Sequence, residues 1–308
     1  MKEMTYTQLL NKTIERYEND GSLEAFRYID QHADEVDGNR TQIYNFQYAL
    51  AAASDLKEEA LRLMREAIIV HGYWYSYDYL MADEDLDSIK DTSEFQELAQ
   101  ICKKREEEAK ASAKPELKVL EGSREGIEKR LLIALHGDQE NIALTEEYWK
   151  SAVSDGLTLA LPQSSQIQFS DAYEWDDLEK GSDELVTHSK QLREQYDDIT
   201  VGGFSAGCRV ALHAMVEKEL PVNGFIFVAP WLPEVDEWDE LLDNLDKDVK
   251  GYIICGDQDA DCFESANRFG ELLVKRNIQH KIKIVSDLDH EYPVNFQEML
   301  KEALDYIG

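Results

Sequence analysis

The chain has 308 residues, enough for two domains with separate cores. Hydrophobic residues make up 43% and charged residues 31%, a balance typical of globular proteins and not of disordered ones. The 64 acidic and 32 basic residues give a formal net charge of −32. Such an acidic surface repels nucleic-acid phosphates and anionic lipids, so we expect neither a nucleic-acid nor a membrane partner.

The sequence also indicates a compartment. The N-terminus lacks a basic segment followed by an apolar run, and no apolar stretch reaches the ~18 residues that span a bilayer. The four cysteines are scattered and lack the spacing of CxxC pairs or metal-ligand sets. These features predict a cytoplasmic protein with reduced thiols and no metal site.

Apolar residues recur at helical spacing throughout residues 1–114, with no convincing strand. A faint internal repeat aligns Ala25 with Ala60, and Ala67 follows seven residues later. This period and the small residues resemble the tetratricopeptide repeat, although other antiparallel helical hairpins give similar spacing. We therefore predict an all-α, tetratricopeptide-like domain over 1–114. Because solenoid surfaces bind peptides, a peptide or protein partner of this domain is a second expectation.

The pattern changes after Pro115. Strand-like runs alternate with helical ones, and a turn is predicted at Gly122-Ser123. This alternation predicts a mostly parallel, doubly wound α/β sheet over 115–308, with ligands at the carboxyl ends of the strands. The predicted strands are 117–121, 129–135, 157–161, 198–202, 224–229, 251–255 and 281–285, and the predicted helices are 145–154, 180–195, 206–218, 237–246, 262–277 and 294–307.

The most informative motif lies between the strand at 198–202 and the helix at 206–218. It reads Gly203-Phe204-Ser205-Ala206-Gly207, the Gly-x-Ser-x-Gly pattern of a nucleophile elbow. In such an elbow a strained strand-to-helix turn exposes a serine hydroxyl. We expect side chains at Gly203 and Gly207 to collide where the strand meets the helix.

Three further signs fall at strand ends. Leu135-His136-Gly137 ends the strand at 129–135, Gly256 to Asp259 follows the strand at 251–255, and His290 follows the strand at 281–285. In these respects residues 116–308 resemble the α/β-hydrolase superfamily, closest to its phospholipase/carboxylesterase and dienelactone-hydrolase-like branch.

The resemblance implies a Ser-His-Asp triad that catalyses acyl transfer through an acyl-enzyme, without a cofactor. Ser205 would be the nucleophile and His290, the histidine that follows its strand in the required chain order, would be the base. The family usually places its acid three residues after a glycine, which favours Asp259, with Asp257 as the alternative. Backbone amides of Asp138 (or Gln139) and Ala206 would form the oxyanion hole.

His136 is then expected to brace the oxyanion loop and not to act as a base.

Two positions depart from the family pattern. Cys208 stands where many relatives have glycine or alanine, and the acidic segment Asp138-Gln139-Glu140 lies where relatives are often rich in glycine. A carboxylate beside a developing oxyanion is unfavourable unless it points away.

About twenty residues separate the strands at 224–229 and 251–255, too few for a large lid, so a small ester or thioester is the expected substrate. Gln139 and Trp231 are predicted to line its pocket; Leu232, Trp238 and Trp175 either line it as well or cover the sheet. A second hypothesis treats the hydrolase fold as a non-catalytic scaffold whose helical domain binds a peptide or protein.

Overall fold

The computed structural model describes residues 4–122, 129–196 and 198–308. The predicted turn at Gly122-Ser123 therefore extends outside the described residues. The chain forms two compact units. One contains the described residues up to Ala113 together with Ile167–Ala172, and the other contains Lys114–Gln166 and Tyr173–Gly308.

The first unit is helical, as predicted. Side-chain caps begin three of its α-helices: Thr5 accepts from the amide of Gln8, Asn39 from the amides of Thr41 and Gln42, and Thr92 from the amide of Phe95. The first four helices pack each on the next, and the tetratricopeptide assignment stays a prediction. The helices are α1 (Tyr6–Asp20), α2 (Ser22–His32), α3 (Arg40–Ala53), α4 (Lys57–Arg65, continued by a π-helical turn at Glu66–Val70), α5 (Tyr77–Ala82), α6 (Asp87–Lys90) and α7 (Ser93–Ser112), with 3-10 turns at Ala33–Glu35 and Glu84–Leu86.

The described residues also contain a seven-stranded sheet in the order β1-β3-β2-β6-β7-β8-β9. All its neighbours are parallel except β1, which is antiparallel to β3, so the predicted mostly parallel sheet is confirmed. The sequence did not predict the short pair β4-β5. The strands are β1 (Glu116–Leu120), β2 (Arg130–Leu135), β3 (Thr158–Gln163), β4 (Gln166–Phe169), β5 (Ala172–Glu174), β6 (Asp198–Phe204), β7 (Gly224–Val228), β8 (Lys250–Gly256) and β9 (Gln279–Val285).

Helices cover both faces of this sheet. Leu185, Val210 and Phe269 belong to the core on one face, whereas Trp149 and Leu300 belong to the core on the other. This doubly wound arrangement brings the carboxyl ends of the parallel strands to one edge, as predicted. The helices are α8 (Ile142–Trp149), α9 (Ser151–Ser154), α10 (Leu178–Arg193), α11 (Ala206–Glu217), α12 (Phe263–Lys275) and α13 (Phe296–Ile307).

The predicted helix at 237–246 is wrong. This segment consists of turns and a short 3-10 helix, Leu241–Asn244. Trp238 and Leu242 are nevertheless buried in the core. Tertiary packing of these side chains outweighs the local helical pattern, because propensity contributes only tenths of a kcal/mol per residue.

Within the described ranges, none of the helices combines the length and the apolar character that crossing a bilayer requires.

Candidate active site

Ser205 occupies the sharp turn between β6 and α11. Its backbone has φ +51° and ψ −119°, a region that non-glycine residues rarely adopt. Two backbone hydrogen bonds hold this conformation: the Ser205 amide donates to Val228 O at 3.0 Å, and Ser205 O accepts from the Cys208 amide at 3.0 Å. The strain is thus maintained by a neighbouring strand and by the first turn of the following helix.

The flanking glycines are required by close contacts. A Cβ at Gly207 would lie 2.5 Å from His136 O, and one at Gly203 would lie 2.9 Å from the carbonyl carbon of Gly207. Real Cβ atoms do not approach backbone atoms so closely. The predicted collision between strand and helix is therefore confirmed at Gly203, whereas at Gly207 the added atom would collide with the end of the neighbouring strand β2.

The structure brings Ser205, His290 and Asp259 together. Ser205 Oγ lies 3.0 Å from His290 Nε2, and His290 Nδ1 lies 2.9 Å from Asp259 Oδ2. Ser205 is 8% exposed, the His290 side chain is 31% exposed and the Asp259 side chain is fully shielded from solvent. The order of these contacts, from hydroxyl to imidazole to carboxylate, is the order that proton transfer from a serine to an oriented imidazole requires.

The two candidate acids have different hydrogen-bond partners. Asp259 Oδ1 accepts from the Cys262 amide at 3.0 Å, which leaves Oδ2 directed at His290. Asp257 Oδ1 instead accepts from the Asp287 amide at 2.8 Å. Asp257 therefore links the β8 and β9 loops, and the imidazole contacts Asp259.

The loop that carries His290 is held against the end of β8. The Gln258 amide donates to Leu288 O at 3.0 Å, and a Cβ at Gly256 would lie 2.0 Å from that same oxygen. Only glycine permits this approach. The contact fixes the distance between the segment that supplies Asp259 and the one that supplies His290.

The environment of the imidazole raises its pKa. Burial of His290 opposes this, but the hydrogen bond and charge of Asp259 outweigh the burial, with smaller contributions from the charges of Glu140 and Asp261. The ring also packs against Phe204, at 5.0 Å between centroids. A raised pKa makes His290 a stronger base than an unperturbed imidazole.

His136 holds the loop after β2, which contains Asp138 and Gln139, and the assignment of this loop to an oxyanion hole stays a prediction. His136 is fully buried, its Nδ1 lies 2.7 Å from Gly137 O, and its Nε2 accepts from the Ser164 amide at 3.3 Å. Its backbone carbonyl accepts from Trp175 Nε1 at 2.9 Å. Burial lowers the pKa of His136 to about 4, so the ring is neutral at pH 7 and serves as both donor and acceptor.

Glu140 is the residue that sequence analysis did not place in the site. Its Oε2 accepts from the Gly137 amide at 2.7 Å, within the loop that contains Asp138 and Gln139. Burial raises the pKa of this carboxyl to about 7, and its charge interacts with His290. The only signal in the sequence was an acidic residue where the family pattern is rich in glycine.

The predicted pocket residues differ in their surroundings. Trp231 is 38% exposed, and its amide lies 3.3 Å from Ser205 O as a donor. Gln139 is half-buried and has φ +59°. Leu232 and Trp238 lie in the core, and Trp175 stacks on His136 at 4.6 Å. These last three therefore cover the sheet.

Two groups of side chains in the described part of the chain place ligand-type atoms within 4.8 Å of one another. One is Asp259, Cys262 and His290, whose carboxylate and imidazole are engaged with each other. The other is Asp138, Glu174 and Asp176, an acidic cluster beside the oxyanion loop. An all-oxygen set of this kind suits hard cations, but three partly exposed carboxylates are common on acidic surfaces.

Comparisons with known proteins agree with this architecture. Residues 5–110 match the family model "A/B hydrolase-like, N-terminal domain", and residues 174–307 match "Phospholipase/Carboxylesterase". None of the curated proteins matches the chain.

Among solved structures, an uncharacterized protein from Bacillus cereus ATCC 10987 is 51% identical, with 99% of each chain covered and a TM-score of 0.57. Esterase PE8 is 17% identical, over 63% of this chain and 100% of its own, with a TM-score of 0.53. The Bacillus cereus carboxylesterase is also 17% identical, over 65% of this chain and 97% of its own, with a TM-score of 0.51. The latter two show the fold alone. The chain therefore combines an A/B hydrolase-like N-terminal domain with a phospholipase/carboxylesterase domain, each matched by its own family model.

Proposed function

We propose that the protein is a serine hydrolase of the carboxylesterase or thioesterase type, acting on a small ester or thioester. The observation that carries this proposal is the continuous hydrogen-bonded chain from Ser205 Oγ through His290 to Asp259 Oδ2. The phospholipase/carboxylesterase family match supports a hydrolase of the ester or thioester type.

In the proposed reaction, His290 Nε2 takes the proton of Ser205 Oγ as the oxygen attacks the carbonyl carbon. Asp259 stabilises the imidazolium that forms, and His290 then passes the proton to the leaving group. In the second half of the reaction, His290 takes a proton from a water molecule as the water oxygen attacks the acyl carbon. The proton then returns to Ser205 Oγ as the bond between the acyl group and this oxygen breaks. The ester bond is replaced first by the acyl-serine bond and then by a carboxylic acid.

The developing oxyanion needs donors that are in place before the reaction. We assign this role to the amides of Ala206, at the start of α11, and of Asp138, in the loop after β2. Removing one such donor typically costs about 3 kcal/mol of transition-state stabilisation. Trp231 and Gln139 are proposed to contact the substrate because they flank the elbow and the oxyanion loop.

The test is covalent labelling by a fluorophosphonate probe. We expect stoichiometric labelling of the full-length protein and none of the Ser205→Ala variant. Ser286→Ala is the matched control, because Ser286 is exposed on the loop that carries His290. A panel of p-nitrophenyl esters of increasing chain length then measures the depth of the acyl pocket.

An absence of labelling in well-folded wild-type protein would overturn this proposal. That outcome would favour the non-catalytic scaffold, in which the helical unit binds a peptide or protein partner. The scaffold hypothesis has no comparable geometric support, since the hydrogen-bonded chain has no evident structural need to contain a partly exposed imidazole and to end on a strained serine.

A further inference from the structure

The Glu140 side chain folds back on the loop that precedes it. Its Oε2 accepts from the Gly137 amide at 2.7 Å, and its own amide donates to Gly137 O at 3.4 Å. A turn is thereby closed from both sides around Asp138 and Gln139. Gln139 adopts φ +59° at the second of these central positions, the region that a type II turn requires there.

This turn contains the peptide assigned to the oxyanion hole. The direction of the Asp138 N–H depends on the conformation of the Gly137–Asp138 peptide. The Glu140 carboxylate holds Gly137, the first residue of this peptide, through its hydrogen bond to the Gly137 amide. Glu140 O also accepts from the Tyr173 amide at 3.0 Å, which anchors the end of the turn. Glu140 therefore restrains the loop through its side chain and its backbone.

The same carboxylate acts on the proposed base. Its charge raises the pKa of His290, alongside the charges of Asp259 and Asp261 and against the burial of the ring. In turn, burial and the charge of Asp138 raise the pKa of Glu140, while the Gly137 amide and His290 lower it.

We propose that Glu140 is a positioning residue that fixes the oxyanion loop through Gly137 and supplies a second negative charge, beside that of Asp259, to the imidazolium of His290. This inference rests on the proposed function and deepens it. A Cβ at Gly137 would lie 2.7 Å from Phe204 Cδ1 and 3.0 Å from Glu140 Oε2, so the carboxylate lies on the side of the loop that faces Phe204, whose ring packs against His290.

The two roles predict different effects of two substitutions. Glu140→Gln keeps an oxygen that accepts from Gly137 but removes the charge, whereas Glu140→Ala removes both. We expect Glu140→Gln to shift the upper part of the acidic limb of the pH–rate profile to lower pH, where the Glu140 carboxyl with its pKa of about 7 begins to ionise, and to lower the plateau rate about three- to tenfold. Glu140→Ala should lose a further tenfold or more because one oxyanion donor is no longer held.

The measurement is the second-order rate of fluorophosphonate labelling of Ser205 from pH 5 to pH 9. Glu147→Gln is the matched control, because Glu147 is exposed on α8 and undergoes the same chemical change; its profile should follow wild type. Circular dichroism and thermal unfolding monitor the fold. Glu140→Gln keeps the size of the side chain, so the inference stays falsifiable even if Glu140→Ala does not fold.

A Glu140→Gln profile that superimposes on wild type would overturn the inference and leave the proposed function intact. An equal loss in both variants with an unmoved acidic limb would reduce Glu140 to a purely structural residue and likewise overturn it. Wild-type protein that is not labelled at Ser205 would overturn the proposed function itself, and the inference with it.

Discussion

His290 and Asp259 are 31 residues apart in the chain, yet His290 Nδ1 lies 2.9 Å from Asp259 Oδ2. The carboxylate is fully shielded from solvent and the imidazole is partly exposed. Asp259 thus fixes the ring from the protein side and leaves its other nitrogen for Ser205. Substituting Asp259 and Asp257 one at a time therefore tests which of the two acids acts on His290.

Asp259→Asn should reduce labelling or esterase activity by about 10³- to 10⁴-fold, because an amide at this position no longer enforces the required imidazole tautomer. Asp257→Asn is the matched control. The Asp257 side chain accepts from the Asp287 amide and does not bond to His290, so its loss should cost less than about tenfold. Equal losses at both positions would contradict the assignment.

Gly256→Ala should displace the loop that carries His290. The new Cβ would meet Leu288 O at 2.0 Å, and a displacement of about 1 Å at a catalytic group lowers rates about 100-fold. Gly72→Ala provides the comparison: it has φ +78° but open space around the added methyl group, so it should cost about 1–2 kcal/mol of stability. The labelling rate of Gly72→Ala should stay near that of wild type. Labelling kinetics measure the loss of reactivity, and thermal unfolding measures the loss of stability, so the two variants can be compared on both.

His136 should make stability depend on pH on the acidic side. Its pKa is about 4 in the folded protein and 6.5 in the unfolded chain, so the unfolded state binds more protons between these values. Stability is therefore lost as pH falls from about 6.5 to 4, by up to about 3 kcal/mol from this group.

The measurement is the difference in unfolding free energy between wild type and His136→Gln, taken at several pH values by urea denaturation. This comparison cancels the contribution of other titrating groups. The difference should shrink as pH falls, and a constant difference would show that folding does not lower the pKa of His136.

Glu140 should make stability depend on pH in the opposite sense. Its pKa is about 7 when folded and 4.5 when unfolded, so the folded state binds more protons in this interval. Its contribution is thus fully present below pH 4.5 and is lost as pH rises through 7. Because the side chain is only half-buried, Glu140→Gln should gain about 1–2 kcal/mol on wild type between pH 5 and pH 8. A gain in stability with a loss of rate would mark a residue kept for function.

Much of the fold follows from sequence pattern. Alternating strand and helix patterns predicted the seven strands of the main sheet, and the Gly-x-Ser-x-Gly motif predicted the elbow at Ser205. The helix at 237–246 failed because Trp238 and Leu242 are held by core packing in a segment of turns. The pair β4-β5 was missed because its strands are only four and three residues long.

For the site, the sequence by itself determined which side chains stand at strand ends, because strand ends are read from local patterns of apolar residues. It favoured Asp259 over Asp257 only through the family resemblance, and it gave Glu140 no role. Only the tertiary structure decided these points: Asp257 bonds to Asp287, Asp259 faces His290, and Glu140 turns back to Gly137. The physical reason is that hydrogen-bond partners and burial depend on how loops from distant parts of the chain pack together. Local patterns of apolar residues carry no information about this packing.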